Sequence, residues 1–283
     1  MSLDISSDKF THPLLKPILI ELTAYFKQVG ISFFVIGATA RDIVMELHNE
    51  KSGRLTHDLD IAITVNDWEQ WQKVEEDIVK LENFTKDSDQ KQRFLYKDKF
   101  QLDIVPFGDI MKQDSKIFWP PDESFAMSVL GFDAAEEASL KVRVDQEVEI
   151  QIASLSGIFL LKITAWKDRY HKSNKDADDI GFILENYLTI NEERAAVNHY
   201  DAIYTEDFTT VKGGATLLGI DISEILKEYP EDLKIIKQVL IETLEMEERS
   251  VLINQIIETH KMLSYEEILE SLKNIVNQLN EPS

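Results

Sequence analysis

Residues 56–63 read Thr-His-Asp-Leu-Asp-Ile-Ala-Ile, and the two aspartates make this the most informative stretch of the chain. The apolar alternation after them predicts a β-strand over residues 58–64. Because residues i and i+2 of a strand point to the same face, Asp58 and Asp60 bring two carboxylates close together. Like charges at that spacing are costly without a cation between them, and ligation by oxygen alone suits Mg²⁺. The pair therefore predicts a divalent-metal site.

The segment upstream predicts a phosphate-binding turn. Phe33–Ile36 is an apolar strand that ends at Gly37, and residues 39–48 have helical periodicity. In a strand–glycine–helix arrangement, backbone N–H groups and roughly half a positive charge from the helix dipole can face a phosphate. An ordinary strand-to-helix turn has the same pattern, so this segment by itself leaves both interpretations open.

The segment downstream adds a third carboxylate. Phe100–Gly108 is an apolar strand interrupted by Asp103, and a buried charge is costly unless it is paired or binds a metal. The alternative is an edge strand that turns Asp103 to water, which Pro106 would permit. A glycine turn, a carboxylate pair and a third carboxylate are together the equipment of two-metal phosphoryl or nucleotidyl transfer.

These segments resemble the DNA polymerase β-like nucleotidyltransferase superfamily. The resemblance rests on residues 37–42 (Gly-Ala-Thr-Ala-Arg-Asp), 58–60 (Asp-Leu-Asp) and 102–104 (Leu-Asp-Ile). It implies that two Mg²⁺ ions bind to Asp58, Asp60 and Asp103. The implied nucleotide contacts are Gly37, Ala38, Thr39 and Arg41. Ala38 stands where the superfamily usually has glycine or serine, so the phosphate grip is expected to rest on backbone N–H groups and on Thr39.

A second block narrows the resemblance to the AbiEii-like abortive-infection nucleotidyltransferase toxins. It consists of a helical run at 155–169, Lys-Asp-Ala-Asp-Asp at 175–179, and residues 54–60, which fit the pattern Arg-x-Thr-x-Asp-x-Asp. The resemblance implies that Lys162 neutralises the triphosphate and that Asp176 or Asp179 orients the acceptor; helix capping is the alternative for the two aspartates. The implied nucleotide contacts in this block are Lys162, Arg169, Lys175, Asp176 and Asp179.

The composition favours a cytoplasmic enzyme. The chain has 283 residues, 43% of them hydrophobic, and no cysteine, so disulfides and thiolate–metal sites are excluded. No signal peptide is evident, and no apolar run approaches about 18 residues, so no membrane partner is expected. The net charge of −22 argues against a general nucleic-acid binder. Basic residues near the proposed site are the local exception: Lys91, Arg93, Lys97 and Lys99, and a second group within residues 162–175.

The expected fold is α/β, with a mixed nucleotidyltransferase-type sheet and flanking helices over residues 1–153 and a helical domain over residues 154–283. Within the first part we predict a helix over 13–29, a helix from an N-cap at Asn66 to about Leu81, strands near 92–97, 100–106, 139–144 and 147–153, and irregular structure over 108–136. Gly213 and Gly214 are expected in a loop of the second part.

The predicted activity is transfer of an NMP from an NTP, ATP among the candidates, to a hydroxyl of an RNA, tRNA or protein acceptor. Asp103 would bind the metal that activates this hydroxyl and could serve as its general base. A toxin of this kind would have a cognate antitoxin as a partner. Two rivals stay open: a small-molecule nucleotidyltransferase of the antibiotic-resistance type, which the acidic composition mildly favours over a tRNA acceptor, and a degenerate nucleotide-binding member, which Ala38 suggests.

Overall fold

The protein folds into two compact units, Met1–Ser154 and Leu155–Ser283. The computed structural model describes residues 3–52, 58–112, 114–121, 123 and 125–279. The Arg-x-Thr part of the sequence pattern before Asp58 therefore lies outside the described residues. Within the described part of the chain, no helix is long and apolar enough to cross a membrane.

The first unit is built on an eight-stranded mixed sheet and a separate two-stranded sheet. The strands are β1 (Leu3–Ile5), β2 (Phe33–Ile36), β3 (Asp58–Val65), β4 (Phe84–Lys86), β5 (Arg93–Tyr96), β6 (Phe100–Gly108), β7 (Lys116–Phe118), β8 (Ala126–Ser128), β9 (Leu140–Val144) and β10 (Val148–Ile152). The large sheet has the order β1-β9-β10-β2-β3-β6-β5-β4, and β7 pairs with β8. In its middle, β3 and β6 are parallel, and each has an antiparallel neighbour on its other side.

Four helices accompany the sheet in the described part of the first unit. They are α1 (Leu15–Val29), α2 (Gly37–Leu47), α3 (Trp68–Ile78) and α4 (Phe132–Glu137). The predicted N-cap of α3 is wrong by one residue, because the carboxylate of Asp67, not Asn66, accepts a 2.7 Å hydrogen bond from the N–H of Gln70.

The edge-strand alternative for Asp103 is wrong, and so is the irregular structure expected over residues 108–136. Strand β6 lies between β3 and β5, so Asp103 is not on an edge strand. The alternating residues Leu102 and Ile104 are fully buried, which requires a covered face and neighbours on both sides. Residues 108–136 are not irregular throughout, because β7, β8 and α4 form there.

The secondary-structure elements in the described part of the second unit are all helices. The helices are α5 (Leu155–Arg169), α6 (Lys175–Ile190), α7 (Glu192–Asn198), α8 (Tyr200–Ile203), α9 (Thr210–Ile225), α10 (Pro230–Glu245), α11 (Val251–Thr259) and α12 (Tyr265–Gln278). The mixed sheet with its accompanying helices, followed along the chain by further helices, confirms the expected α/β fold class. Gly213 and Gly214 lie inside α9, not in a loop; a β-carbon on Gly214 would stand 3.1 Å from the backbone nitrogen of Leu188, so glycine permits close packing on α6.

Candidate active site

The sheet register brings the three predicted carboxylates to one face. Asp60 of β3 is the direct partner of Asp103 on the parallel strand β6, and neighbouring strands lie roughly 4.8 Å apart. Asp58 lies two residues before Asp60 and points to the same face. Leu59 and Ile61 alternate with the aspartates and are fully buried in the core. The core thus holds β3 in the one register that groups the carboxylates.

The backbone at Gly37 lies directly against the carboxylate of Asp60. Gly37 begins α2 with φ +68°, and a β-carbon built there would fall 2.5 Å from Oδ2 of Asp60. The first N–H groups of a helix have no intrahelical acceptor, and the helix dipole makes this end positive. The start of α2 therefore combines backbone donors with a neighbouring carboxylate, which is a suitable arrangement for a phosphate–metal complex.

The side chains of Thr39 and Arg41 both make hydrogen bonds, Thr39 to β3 and Arg41 within α2. The hydroxyl of Thr39 donates a 3.0 Å hydrogen bond to the carbonyl of Asp58 and so ties α2 to the start of β3. Arg41 is 1% exposed, and its Nε and Nη2 donate to Oδ1 of Asp42 at 3.0 and 2.8 Å. Ala38 is buried. Nucleotide contacts by these side chains stay predictions.

Arg93 also belongs to the carboxylate cluster. Its sequence position predicts only that it is one of several basic residues before Asp103. It is the cross-strand partner of Asp103 on the antiparallel strand β5. Its Nε and Nη2 donate to the two carboxylate oxygens of Asp103 at 2.7 and 2.8 Å. The strands predicted near 92–97 and 100–106 could have revealed this pair, because joining them as a hairpin with a short turn at residues 97–99 sets residue 93 opposite residue 103.

The charges around Arg93 act on it together. The hydrogen bonds to Asp103 raise the pKa of the guanidinium above its ordinary value; burial opposes this rise, and the charges of Asp103, Asp58 and Asp60 add to it.

As the side chains stand, no three Asp, Glu or His residues of the described chain converge closely enough to hold a metal ion. Both oxygens of Asp103 face the guanidinium. The donor set is nevertheless all-carboxylate, which is the chemistry that Mg²⁺ prefers.

The second unit brings four other predicted residues together in a buried ionic network. Lys162 of α5 lies 3.3 Å from Asp176 and 2.6 Å from Asp179 of α6. Arg169 donates a two-pronged pair of hydrogen bonds to Asp176 at 2.7 and 2.8 Å. Both aspartate side chains are at most 3% exposed. Lys175 is exposed on the first turn of α6.

Charge pairing in this network outweighs the effect of burial. Burial by itself lowers the pKa of the Lys162 ammonium, but the neighbouring Asp179 and Asp176 raise it above its ordinary value. Burial likewise raises the pKa of Asp176, yet Arg169 and Lys162 hold it below its usual range. Lys162 and Asp176 are therefore both charged at neutral pH. Whether Lys162, Arg169, Lys175, Asp176 or Asp179 contacts a nucleotide stays a prediction.

Comparison with known proteins identifies the class of enzyme. Residues 22–273 match the family described as nucleotidyl transferase AbiEii toxin, type IV TA system. The chain belongs to this family, as the sequence resemblance predicted, and is a nucleotidyltransferase. A search of curated proteins finds no match.

Three solved structures show remote likeness. An antigenic nucleotidyltransferase-like protein from Paracoccidioides brasiliensis is 14% identical, with 82% of this chain and 94% of that chain covered and a TM-score of 0.40. The CdnE cyclic dinucleotide synthase of Elizabethkingia meningoseptica, solved with GTP and Apcpp, is 11% identical over 99% and 96% of the two chains, with a TM-score of 0.30. A CCA-adding enzyme in complex with CTP is 13% identical over 96% and 82%, with a TM-score of 0.25. The family assignment rests on the sequence match.

Proposed function

We propose that this protein is a Mg²⁺-dependent nucleotidyltransferase that moves an NMP from an NTP to a hydroxyl of an RNA or protein acceptor, in the role of a toxin. The observation that carries the proposal is the grouping of Asp58, Asp60 and Asp103 on one sheet face beside the start of α2. Family membership supports the reaction type, and the register of β3 and β6 supports the site.

The proposed step is an in-line displacement at the α-phosphorus. A bond forms between the acceptor oxygen and the α-phosphorus, the bond from the α-phosphorus to the bridging oxygen breaks, and pyrophosphate leaves. Asp58 and Asp60 would hold the divalent ions, which would stabilise the developing phosphate charge. Asp103 would bind the metal that activates the attacking hydroxyl and would take its proton. The backbone N–H groups from Gly37 onward would hold the phosphates.

The toxin role implies a cognate antitoxin and an acceptor that is essential for growth. The acidic surface, with a net charge of −22, opposes extended contact with a nucleic-acid backbone. An RNA acceptor would therefore be bound locally, near its reacting end. Expression of the active protein without its antitoxin is expected to arrest growth.

The test is transfer of radiolabel in the presence of Mg²⁺. Each of the four NTPs, labelled on the α-phosphate, is incubated with the protein and with total RNA, a protein extract or aminoglycosides. We expect label on the RNA or protein fraction with one preferred NTP. The same NTP labelled on the γ-phosphate should release all its label as pyrophosphate.

The two labels separate the alternatives. Transfer of γ-label would indicate a kinase, and transfer of α-label to aminoglycosides would indicate the small-molecule alternative. Absence of α-label transfer from every NTP to every acceptor would overturn the proposed function.

A further inference from the structure

We propose that Arg93 is a resident counter-ion of the carboxylate cluster and that a divalent cation competes with its guanidinium for Asp103. This inference rests on the function proposed above, because it assigns metal binding to the same three carboxylates. It adds a positioning residue, Arg93, that sets how strongly the site takes up metal.

The geometry of the pair is that of a strong ionic contact. Arg93 and Asp103 face each other on adjacent antiparallel strands, and the planar guanidinium meets both carboxylate oxygens at 2.7 and 2.8 Å. Two parallel charge-assisted hydrogen bonds of this kind are stronger than neutral ones and fix the orientation of the carboxylate. The orientation of Asp103 is therefore set by Arg93.

The cluster needs such a counter-ion in the absence of metal. Three carboxylates on one face repel one another, and Arg93 interacts electrostatically with Asp58 and Asp60 as well as with Asp103. One guanidinium leaves the group of four side chains with a formal charge of −2, which still attracts a divalent cation. Arg93 thus allows the carboxylates to be grouped before metal arrives.

Metal uptake at Asp103 requires a change in this contact. As the side chains stand, no three carboxylates of the described residues are grouped closely enough to hold a metal ion. Joint ligation by Asp58, Asp60 and Asp103 would therefore require the Asp103 carboxylate to turn, and this turn would weaken its two-pronged contact with Arg93. The side chains of Arg93 and Asp103 are 24% and 13% exposed, so a cation can reach them from solvent.

The first experiment measures binding of Mn²⁺ alone by calorimetry, without nucleotide. Arg93→Gln removes the competing charge and should bind Mn²⁺ about tenfold more tightly than wild type, because the lost contact is a charge-assisted pair. Arg93→Lys keeps the charge but replaces the fork with a single point of contact, so an intermediate affinity is expected. It also serves as the test variant should Arg93→Gln fail to fold.

Arg143→Gln is the matched control. Arg143 makes a similar two-pronged contact, at 2.7 and 3.1 Å, with Asp4, its cross-strand partner on the edge strand β1 of the same sheet. The control changes the net charge by the same amount and should leave Mn²⁺ affinity within about twofold of wild type, since distant exposed charges are screened. Equal tightening in both variants would mean that net charge, not competition, is responsible, and would overturn the inference.

A double-mutant cycle tests whether the effect passes through Asp103. Introducing Arg93→Gln into an Asp103→Asn background should change Mn²⁺ affinity by less than about threefold, because the contested carboxylate is already gone. Full tightening in that background would overturn the inference. An Mn²⁺ affinity of Arg93→Gln equal to that of wild type would also overturn the inference but would leave the proposed function intact. If neither wild type nor Arg93→Gln bound Mn²⁺, both the inference and the proposed function would fail.

Discussion

Gly37 and Asp60 are in such close contact that no side chain fits between them. A β-carbon on residue 37 would lie 2.5 Å from Oδ2 of Asp60 and 3.3 Å from its Cβ. The positive φ of Gly37 adds a second restriction, because L-residues rarely adopt it. The glycine thus serves both the turn into α2 and the position of a carboxylate proposed to bind metal.

Gly37→Ala is expected to abolish or strongly reduce nucleotidyl transfer and to lower the melting temperature, because Asp60 must move. Gly30→Ala is the matched control: Gly30 has φ +70° at the end of α1, but no atom lies within 4 Å of its β-carbon position. The control carries the backbone strain alone, about 1–2 kcal/mol. If both variants kept equal activity in the radiolabel assay, contact with Asp60 would not matter for transfer.

Asp58→Asn and Asp60→Asn should each reduce transfer at least tenfold, a loss of about 1.4 kcal/mol or more in transition-state stabilisation. Folding should be retained, because each change removes one charge from a self-repelling group. Asp4→Asn is the control and should keep full activity. It alters an aspartate that is paired with Arg143 on the edge strand β1, away from β3 and β6. Either active-site variant retaining more than about a tenth of wild-type kcat/KM would contradict the metal assignment.

Lys162→Met should strongly destabilise the protein. It leaves Asp179 and Asp176 buried with less positive charge, and removing one partner of a buried ion pair typically costs about 3–5 kcal/mol. Lys167→Met on the same helix is the control, because the Lys167–Glu242 pair is nearly half exposed on both sides and exposed ion pairs contribute little to stability. Urea denaturation of both variants measures the difference. Equal losses would show that the buried network does not stabilise the unit.

The double variant Lys162→Met with Asp179→Met removes both charges and should recover part of this stability, because the apolar side chains fill a similar volume. It also permits a test of nucleotide binding. Mg²⁺ with an NTP raises the melting temperature of wild type if the folded state binds it. Loss of that rise in the recovered double variant would support a nucleotide contact by Lys162 or Asp179, and an unchanged rise would contradict a contact by either residue.

His260 should make the stability of the protein depend on pH. Its ring nitrogens lie 2.8 Å from Glu185 Oε2 and 2.8 Å from the carbonyl of Asp178. Burial by itself lowers the pKa of His260, but the hydrogen bonds to Asp178 and Glu185 raise it from 6.5 to about 9. Because the folded-state pKa is the higher one, the stabilisation is complete below pH 6.5 and is lost as the pH rises through 9.

The expected contribution of His260 to the free energy of unfolding is about 3 kcal/mol. It is measured as the difference between urea denaturation at pH 6 and at pH 10. His260→Gln should lack this component of the pH dependence. The exposed His171 provides the control variant, His171→Gln, which should retain it. If the free energy of unfolding depended on pH in the same way for wild type and His260→Gln, His260 would not be held in its charged form.

Local patterns in the sequence are sufficient to predict the strands and the helix around the site. The alternation at 58–64 predicts a strand, the observed strand is Asp58–Val65, and its two-residue period aligns Asp58 with Asp60 whatever the rest of the fold does. The run from Phe33 through Gly37 likewise predicts a strand and then a helix, because apolar periodicity and a glycine act within a few residues. The α/β fold class and the nucleotidyltransferase family follow from these short-range signals.

Tertiary packing decides which partners the charged and polar side chains acquire. Arg93 binds Asp103, Lys162 binds Asp176 and Asp179, and the hydroxyl of Thr39 binds the carbonyl of Asp58. These contacts join residues 10 to 19 positions apart, so they depend on strand register and helix packing, which residue type and periodicity do not specify. A charge in a sequence can face water, a metal or a counter-ion, and only the folded chain sets which of these lies within hydrogen-bonding distance.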